Sequence, residues 1–245
     1  MADPNSLSCQ RERGAIYFGM SIESAIEELI NRCTATAVPQ KWRRDRINMY
    51  AMGLRSKFRQ ARFALEVLET LYDAEETVTS TGDDWLTQKE KIEFYTDCFW
   101  TFLYSAFEVF AQVVNQVMDL IADEKDVSFK FVVRKTESRN VGDKLTAQLK
   151  KIRKSRFYNN IDKYRNCSGH RRPICLKHRR TETAITEAYN RDATGPLVEM
   201  QILLCDDPLK LNPKFKQRRD LIKYSKEVLR KSEEAMETAL RMLLA

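Results

Sequence analysis

A bundle of helices is the fold class this sequence predicts, and three observations predict it. The 245 residues include only seven Gly and six Pro, too few breakers for an all-β chain. Apolar residues recur every three or four positions through long segments rich in Leu, Ala, Glu, Lys, Arg and Met. A hydrophobic content of 43% is enough to build one large core.

Each element follows from period and caps. Ser21 precedes Ile22, Ile26, Leu29 and Ile30, a stripe that fades before Pro39 and predicts a short helix within an N-terminal extension, residues 1–40. From Lys41 to Asp73 a long helix carries Leu54, Phe58, Ala61, Leu65, Leu68 and Tyr72 on one face, and the polar stretch Glu75 to Asp84 ends it. Thr87 and Glu90 have capping-box spacing and open the most apolar helix, Thr87 to Ala122; a helix apolar nearly all round belongs in the middle of a bundle. Residues Val127 to Phe131 and Val198 to Ile202 alternate with period two, which predicts a small two-stranded β ribbon. Between them, Asp143 caps a helix with Leu145, Leu149, Ile152, Phe157 and Ile161 that delivers the chain to Arg165. Pro173 starts a further helix through Ile174, His178, Ile185 and Ala188, and Asn212-Pro213 starts the last, from Phe215 to Leu243. Without an internal repeat or a domain boundary, 1–245 is expected to form a single domain, with 41–245 as the all-α bundle of long antiparallel helices.

Charge is segregated. Between Arg134 and Arg180 sixteen Lys and Arg face three acids, Glu137, Asp143 and Asp162; elsewhere 26 basic residues are outnumbered by 32 acidic ones. Such a block suits a polyanion, with Phe157, Tyr158 and Tyr164 interleaved as stacking partners. Lys163, Arg156, Arg171, Arg172 and Tyr164 are the candidates for contact with RNA. A second basic block, Lys41 to Arg62, holds eight Lys and Arg against Asp45 alone. Solvated helix faces are the competing explanation for both blocks. The six cysteines are scattered rather than packed into a disulfide framework, and Cys98 to Phe107, the longest near-apolar run, is too short to span a bilayer and is followed by Glu108. No leader is read in the opening residues, so a soluble, cytoplasmic protein without membrane contact is expected.

Chemistry concentrates in Arg165-Asn166-Cys167-Ser168-Gly169-His170, which holds one of only two histidines. A permanent cation near a group that titrates around neutrality is a means of cutting a phosphodiester. The His can take a proton from a ribose 2′-hydroxyl or give one to the departing 5′-oxygen, and the Arg can hold charge developing on the phosphorus oxygens. Cys167, His170, Cys175 and His178 form a rival set, four zinc-ligand types within twelve residues. Asp97 and Glu108 stand out as carboxylates in an apolar helix; Glu108 is a candidate supporting carboxylate able to reach the motif arginine. Phosphate loops, dinucleotide fingerprints and paired catalytic carboxylates are absent from the sequence.

The order of helices and the pattern Arg, four intervening residues, His, with Asn166 directly after the Arg, resemble the HEPN superfamily of helical domains. Arg171 and Arg172 with His178 also satisfy the spacing, but Asn166 favours Arg165 with His170. The resemblance implies endoribonuclease action without metal or cofactor, with Arg165, His170 and Asn166 as catalytic residues, a 2′,3′-cyclic phosphate and a 5′-hydroxyl as product ends, and a homodimer that brings two motifs into one cleft. It also implies a setting in bacterial conflict, as a toxin or anti-phage effector held in check by an antitoxin or regulatory protein. Two features depart from the family: Ser168-Gly169 with Pro173 predicts a loose loop around His170, and Arg172 stands where many active members carry Tyr. The competing reading is a catalytically inactive HEPN-like module that binds RNA or a protein partner.

Overall fold

The computed structural model describes residues 20–35, 40–75, 83–120, 123–139, 143–170, 174–183, 197–217 and 219–244. Seven helices are described: α1 (Met20–Ala35), α2 (Lys41–Glu75), α3 (Asp83–Val117), α4 (Phe129–Ser138), α5 (Asp143–Lys154), α6 (Arg156–His170) and α7 (Leu221–Leu244). A small antiparallel sheet, β1 (Leu176–Thr183), β2 (Leu197–Leu204) and β3 (Arg219–Asp220), lies between α6 and α7 in sequence, in the order β1-β2-β3. The chain is therefore an all-α bundle with a minor sheet.

The two 35-residue helices α2 and α3 form the spine. Ile47, Ala51, Leu54, Phe58, Ala61, Leu65 and Leu68 recur at helical spacing on the buried face of α2, and Phe99, Leu103, Ala106, Phe110, Val113 and Val114 answer from α3. The pair is antiparallel: near one end Arg43 donates to the carbonyls of Gln116 and Val117, and near the other Gln88 donates to that of Leu71. Arg43 thus satisfies carbonyls that the last turn of α3 leaves open. α3 stops at Val117 rather than Ala122, where Asp119 adopts φ 51°. Its start is Asp83, so Thr87 lies within the helix rather than at its N-cap. Beneath α3, Phe107 and Phe110 meet Phe129 of α4 at ring separations of 5.5 and 6.3 Å, and Tyr158 of α6 closes on Phe107 and Phe129 at 5.0 Å each.

Several expectations are corrected. Val127 to Phe131 is not a strand: Ser128 accepts a hydrogen bond from the Phe131 N–H and starts α4, whose Phe129, Val132, Val133 and Thr136 are buried. The helix expected from Asp143 to Arg165 is broken at Ser155, whose hydroxyl donates to the Ile152 carbonyl at 2.6 Å and accepts from the Tyr158 N–H at 3.2 Å. From Leu176 to Thr183 the segment after Pro173 is strand, not helix, while Ile185 and Ala188 lie outside the described residues. It pairs with β2 in the register Leu176 with Leu204 and His178 with Ile202, so the predicted strand at Val198 to Ile202 is present with a different partner. Finally, α7 begins at Leu221, where the Asp220 carboxylate accepts the Lys223 N–H at 2.9 Å, and Asn212-Pro213 lies in the preceding turn. Glu75 to Asp84 falls largely outside the described residues. α1 matches the short first helix and packs against α2 and α7. No described helix is long and apolar enough to cross a membrane.

Candidate active site at the end of α6

α6 carries the chain from Arg156 to His170 as continuous helix, so the motif lies in its last two turns and the expected loose loop at Ser168-Gly169 is not found. Gly169 lacks a left-handed φ, and a Cβ there would meet nothing within 4 Å, so the glycine is not needed for a turn. Tyr158, Ile161, Tyr164 and Cys167 form the buried stripe of α6. Arg165 and Asn166 lie half-buried beside that stripe.

The Arg165 guanidinium lies over the ring of Tyr104, 4.7 Å from its centroid, and donates to Asn166 Oδ1 at 3.0 Å. Asn166 donates in turn to Asp162 Oδ1 at 3.2 Å, and Lys130 of α4 pairs with Asp162 Oδ2 at 2.8 Å. Glu108, one turn beyond Tyr104 on α3, accepts the Phe129 N–H at 3.5 Å at the start of α4 and a hydrogen bond from the Tyr104 hydroxyl. Burial pushes the Glu108 carboxyl above its usual range, against the hydrogen bonds from Phe129 and Tyr104 and the charges of Arg165 and Lys130. Burial likewise pushes the Tyr104 phenol up to about 12, and the Glu108 charge adds to it. Tyr104 therefore stays a neutral donor at any physiological pH. The Arg165 charge acts on Glu108, whose hydrogen bonds come from Tyr104 and Phe129, and helices α3, α4 and α6 converge around this one guanidinium.

A second carboxylate steadies the helix end. Asp97 of α3 accepts the Ser168 hydroxyl and the Ile174 backbone N–H, joining the last turn of α6 to the approach to β1. Burial raises its carboxyl above the ordinary range, more than these two bonds lower it. Asp97, Tyr104 and Glu108 stand seven and then four residues apart, so they share one stripe of α3. Tyr104 was not singled out from the sequence, and that polar stripe inside an apolar helix is the signal that could have found it.

The other predicted residues separate. Tyr164 is a core residue, not a stacking surface for RNA: it is fully buried, lies 4.5 Å from Trp100 in stacked geometry, donates to the Cys205 carbonyl and accepts from Arg219 at 3.1 Å. Tyr158 is buried too, and Phe157 packs against Phe107. Lys163 pairs with Asp207 at 3.1 Å, and exposed Arg156 donates to Gln217. Arg171 and Arg172 lie outside the described residues, as does the His170 side chain. The zinc set does not assemble among the described side chains: the Cys167 thiol is buried and donates to the Pro208 carbonyl at 3.2 Å, while Cys175 is exposed and His178, three residues on, lies half-buried on β1. No group of three or more metal-ligating side chains exists among the described residues.

The sequence pattern of the HEPN_Cthe2314-like HEPN family matches residues 48–239, most of the chain and all of the site. The chain belongs to the HEPN superfamily. No curated protein and no solved structure gives a match. The Arg165–His170 motif of this HEPN chain lies inside the matched segment, as do the residues that hold Arg165, and the family supports a role in RNA binding or nuclease action.

Proposed function

We propose that this HEPN protein is an endoribonuclease that cuts single-stranded RNA by attack of the ribose 2′-hydroxyl on the adjacent phosphorus, with Arg165, His170 and Asn166 at the reacting centre. The observation that carries the reading is the preparation of Arg165. Its guanidinium is held between the Tyr104 ring and Asn166 with the Glu108 charge behind it, so little reorganisation is needed when charge builds on the phosphorus oxygens. In the same step an imidazole takes the proton from the 2′-hydroxyl or gives one to the departing 5′-oxygen. The reaction balances without a metal or cofactor: the 2′-oxygen–phosphorus bond forms, the phosphorus–5′-oxygen bond breaks, and the leaving oxygen takes a proton.

Helix geometry favours a two-chain site. Five positions separate Arg165 from His170, which places them roughly 140° apart around α6 and about 7.5 Å along it. Positions so separated on one helix suit a two-fold partner, which by bringing a second α6 end to end offers an Arg from one chain with a His from the other. The antitoxin-like partner and the role in conflict or defence belong to this reading as family expectations. Ribonuclease assays of the unmutated chain and His170→Ala test it. Loss of cleavage by His170→Ala with RNA binding retained is the expected result, and equal cleavage by both would sink the catalytic assignment. If neither cuts while both bind, the protein is a binding module instead.

A further inference from the structure

A second cationic site lies on the far side of α6. Arg156 precedes Arg165 by nine residues, half a turn out of phase, so the two point from opposite faces of the helix. Arg156 opens onto a cavity of about 510 Å³, bordered by Phe157, Gln217, Arg219, Tyr224, Val228 and Lys231, with Glu227 at its edge. That volume suits a small ligand. Three cations face one carboxylate, Glu227, which Lys231 already engages.

The hydrogen bonding shows what is missing. Gln217 Oε1 accepts from Arg156 Nη2, from Arg219 Nε at 3.1 Å and from Arg219 Nη2 at 2.6 Å. Two guanidinium ions thus converge on one uncharged oxygen, and neither has a carboxylate partner within ion-pair distance among the described residues. Like charges are held this way at a cost unless an anion joins them. Arg219 cannot swing away: it is nine-tenths buried, is anchored to the Tyr164 hydroxyl and the Asp206 carbonyl at 3.1 Å each, and lies over the Tyr224 ring. The nearby Asp206 carboxylate is taken by the backbone N–H groups of Lys216 and Gln217 at 3.0 Å each. The Gln217 amide oxygen therefore occupies the place of an anionic oxygen.

We propose that this cavity is a binding site for a phosphate monoester dianion, held by Arg156, Arg219 and Lys231, with the attached sugar against Phe157 and Val228. Bidentate guanidinium contacts suit that geometry, and two net positive charges match the dianion. The site is separate from the Arg165–His170 centre and does not depend on cleavage, so binding is measured in the His170→Ala protein. Calorimetry with orthophosphate, ribose 5-phosphate, and one RNA trinucleotide with and without a 5′-phosphate reads it. The phosphorylated compounds should bind at one site per chain and the unphosphorylated trinucleotide at least tenfold more weakly. Tighter binding of the phosphorylated trinucleotide than of ribose 5-phosphate assigns the source as an RNA end, and equal binding assigns a free sugar phosphate. Arg156→Ala and Lys231→Ala, both at solvent-accessible positions, should each weaken binding by tenfold or more. Gln217→Glu supplies the missing charge from within and should abolish binding while raising Tm. No binding of the phosphorylated compounds at millimolar concentration, or undiminished binding by Gln217→Glu, would overturn the proposal.

Discussion

Glu233 sets two large electrostatic effects against each other, and its replacement by Gln measures which wins. The side chain lies on α7, is 3% exposed, accepts from Arg62 Nε of α2 at 2.9 Å and lies 2.7 Å from its Nη2, while Arg62 also reaches Glu23 of α1 at 3.2 Å. Burial nevertheless pushes the Glu233 carboxyl from 4.5 to about 7, the Arg62 charge opposing and the charges of Glu23 and Glu234 adding. A carboxyl raised on folding binds more protons in the native state than in the unfolded chain between these two values. Stability from this group is therefore fully present below pH 4.5 and falls as pH rises toward and past 7. A carboxyl moved from 4.5 to about 7 corresponds to about 3 kcal/mol. Gln keeps the shape and an acceptor without the charge. Urea unfolding followed by circular dichroism from pH 4.5 to 8 should find Glu233→Gln close to the unmutated protein at pH 4.5 and more stable at pH 8 by about 3 kcal/mol. If the variant is less stable at pH 8, attraction to Arg62 outweighs burial and the assignment of cause is wrong.

Other outcomes follow from local geometry. Gly169→Ala should raise stability by about 0.5 kcal/mol, because the position is helical, a Cβ meets nothing, and alanine restricts the unfolded chain; a lower Tm would contradict the helical reading of the motif. Ser155→Ala removes the hydroxyl that ends α5 and caps α6, and should cost about 1 kcal/mol in chemical denaturation. Tyr104→Leu keeps the apolar bulk but takes away the ring under Arg165 and the donor to Glu108. It should lower kcat for RNA cleavage at least tenfold with little change in RNA affinity, and unchanged kcat would remove Tyr104 from the account.

How much was legible in the sequence divides along physical lines. α1, α2 and α3 follow from apolar period, since their buried residues fall every three or four positions and nothing competes with helix there. β1 was misread because Pro173 is a helix-start signal and Ile174 with His178 has helical spacing. In fact Leu176 and His178 face inward while Lys177 and Arg179 face solvent, a period of two that becomes decisive only once β2, across a long connection, supplies the pairing. Short caps decided the remaining differences: Ser128, Ser155 and Asp220 each set a boundary through side-chain hydrogen bonds to the backbone, and polar residues of that kind occur throughout a charged chain. At the site, Arg165, Asn166 and Glu108 were visible as residue types, but their convergence with Tyr104, Lys130 and Asp162 depends on three helices meeting. Tyr164 was misassigned because it sits in the basic run. Its spacing with Tyr158, Ile161 and Cys167 marks the buried face.

The measurement that tests the catalytic claim most directly is the analysis of product ends on a single-stranded RNA and on the same strand with one 2′-deoxy nucleotide at the cut position. Attack by the 2′-hydroxyl predicts a 2′,3′-cyclic phosphate and a 5′-hydroxyl from the all-RNA strand, no cut at the deoxy position, and no products from His170→Ala. Cleavage at the deoxy position, or a 5′-phosphate on the downstream product, would contradict the assignment of Arg165 and His170 to this chemistry.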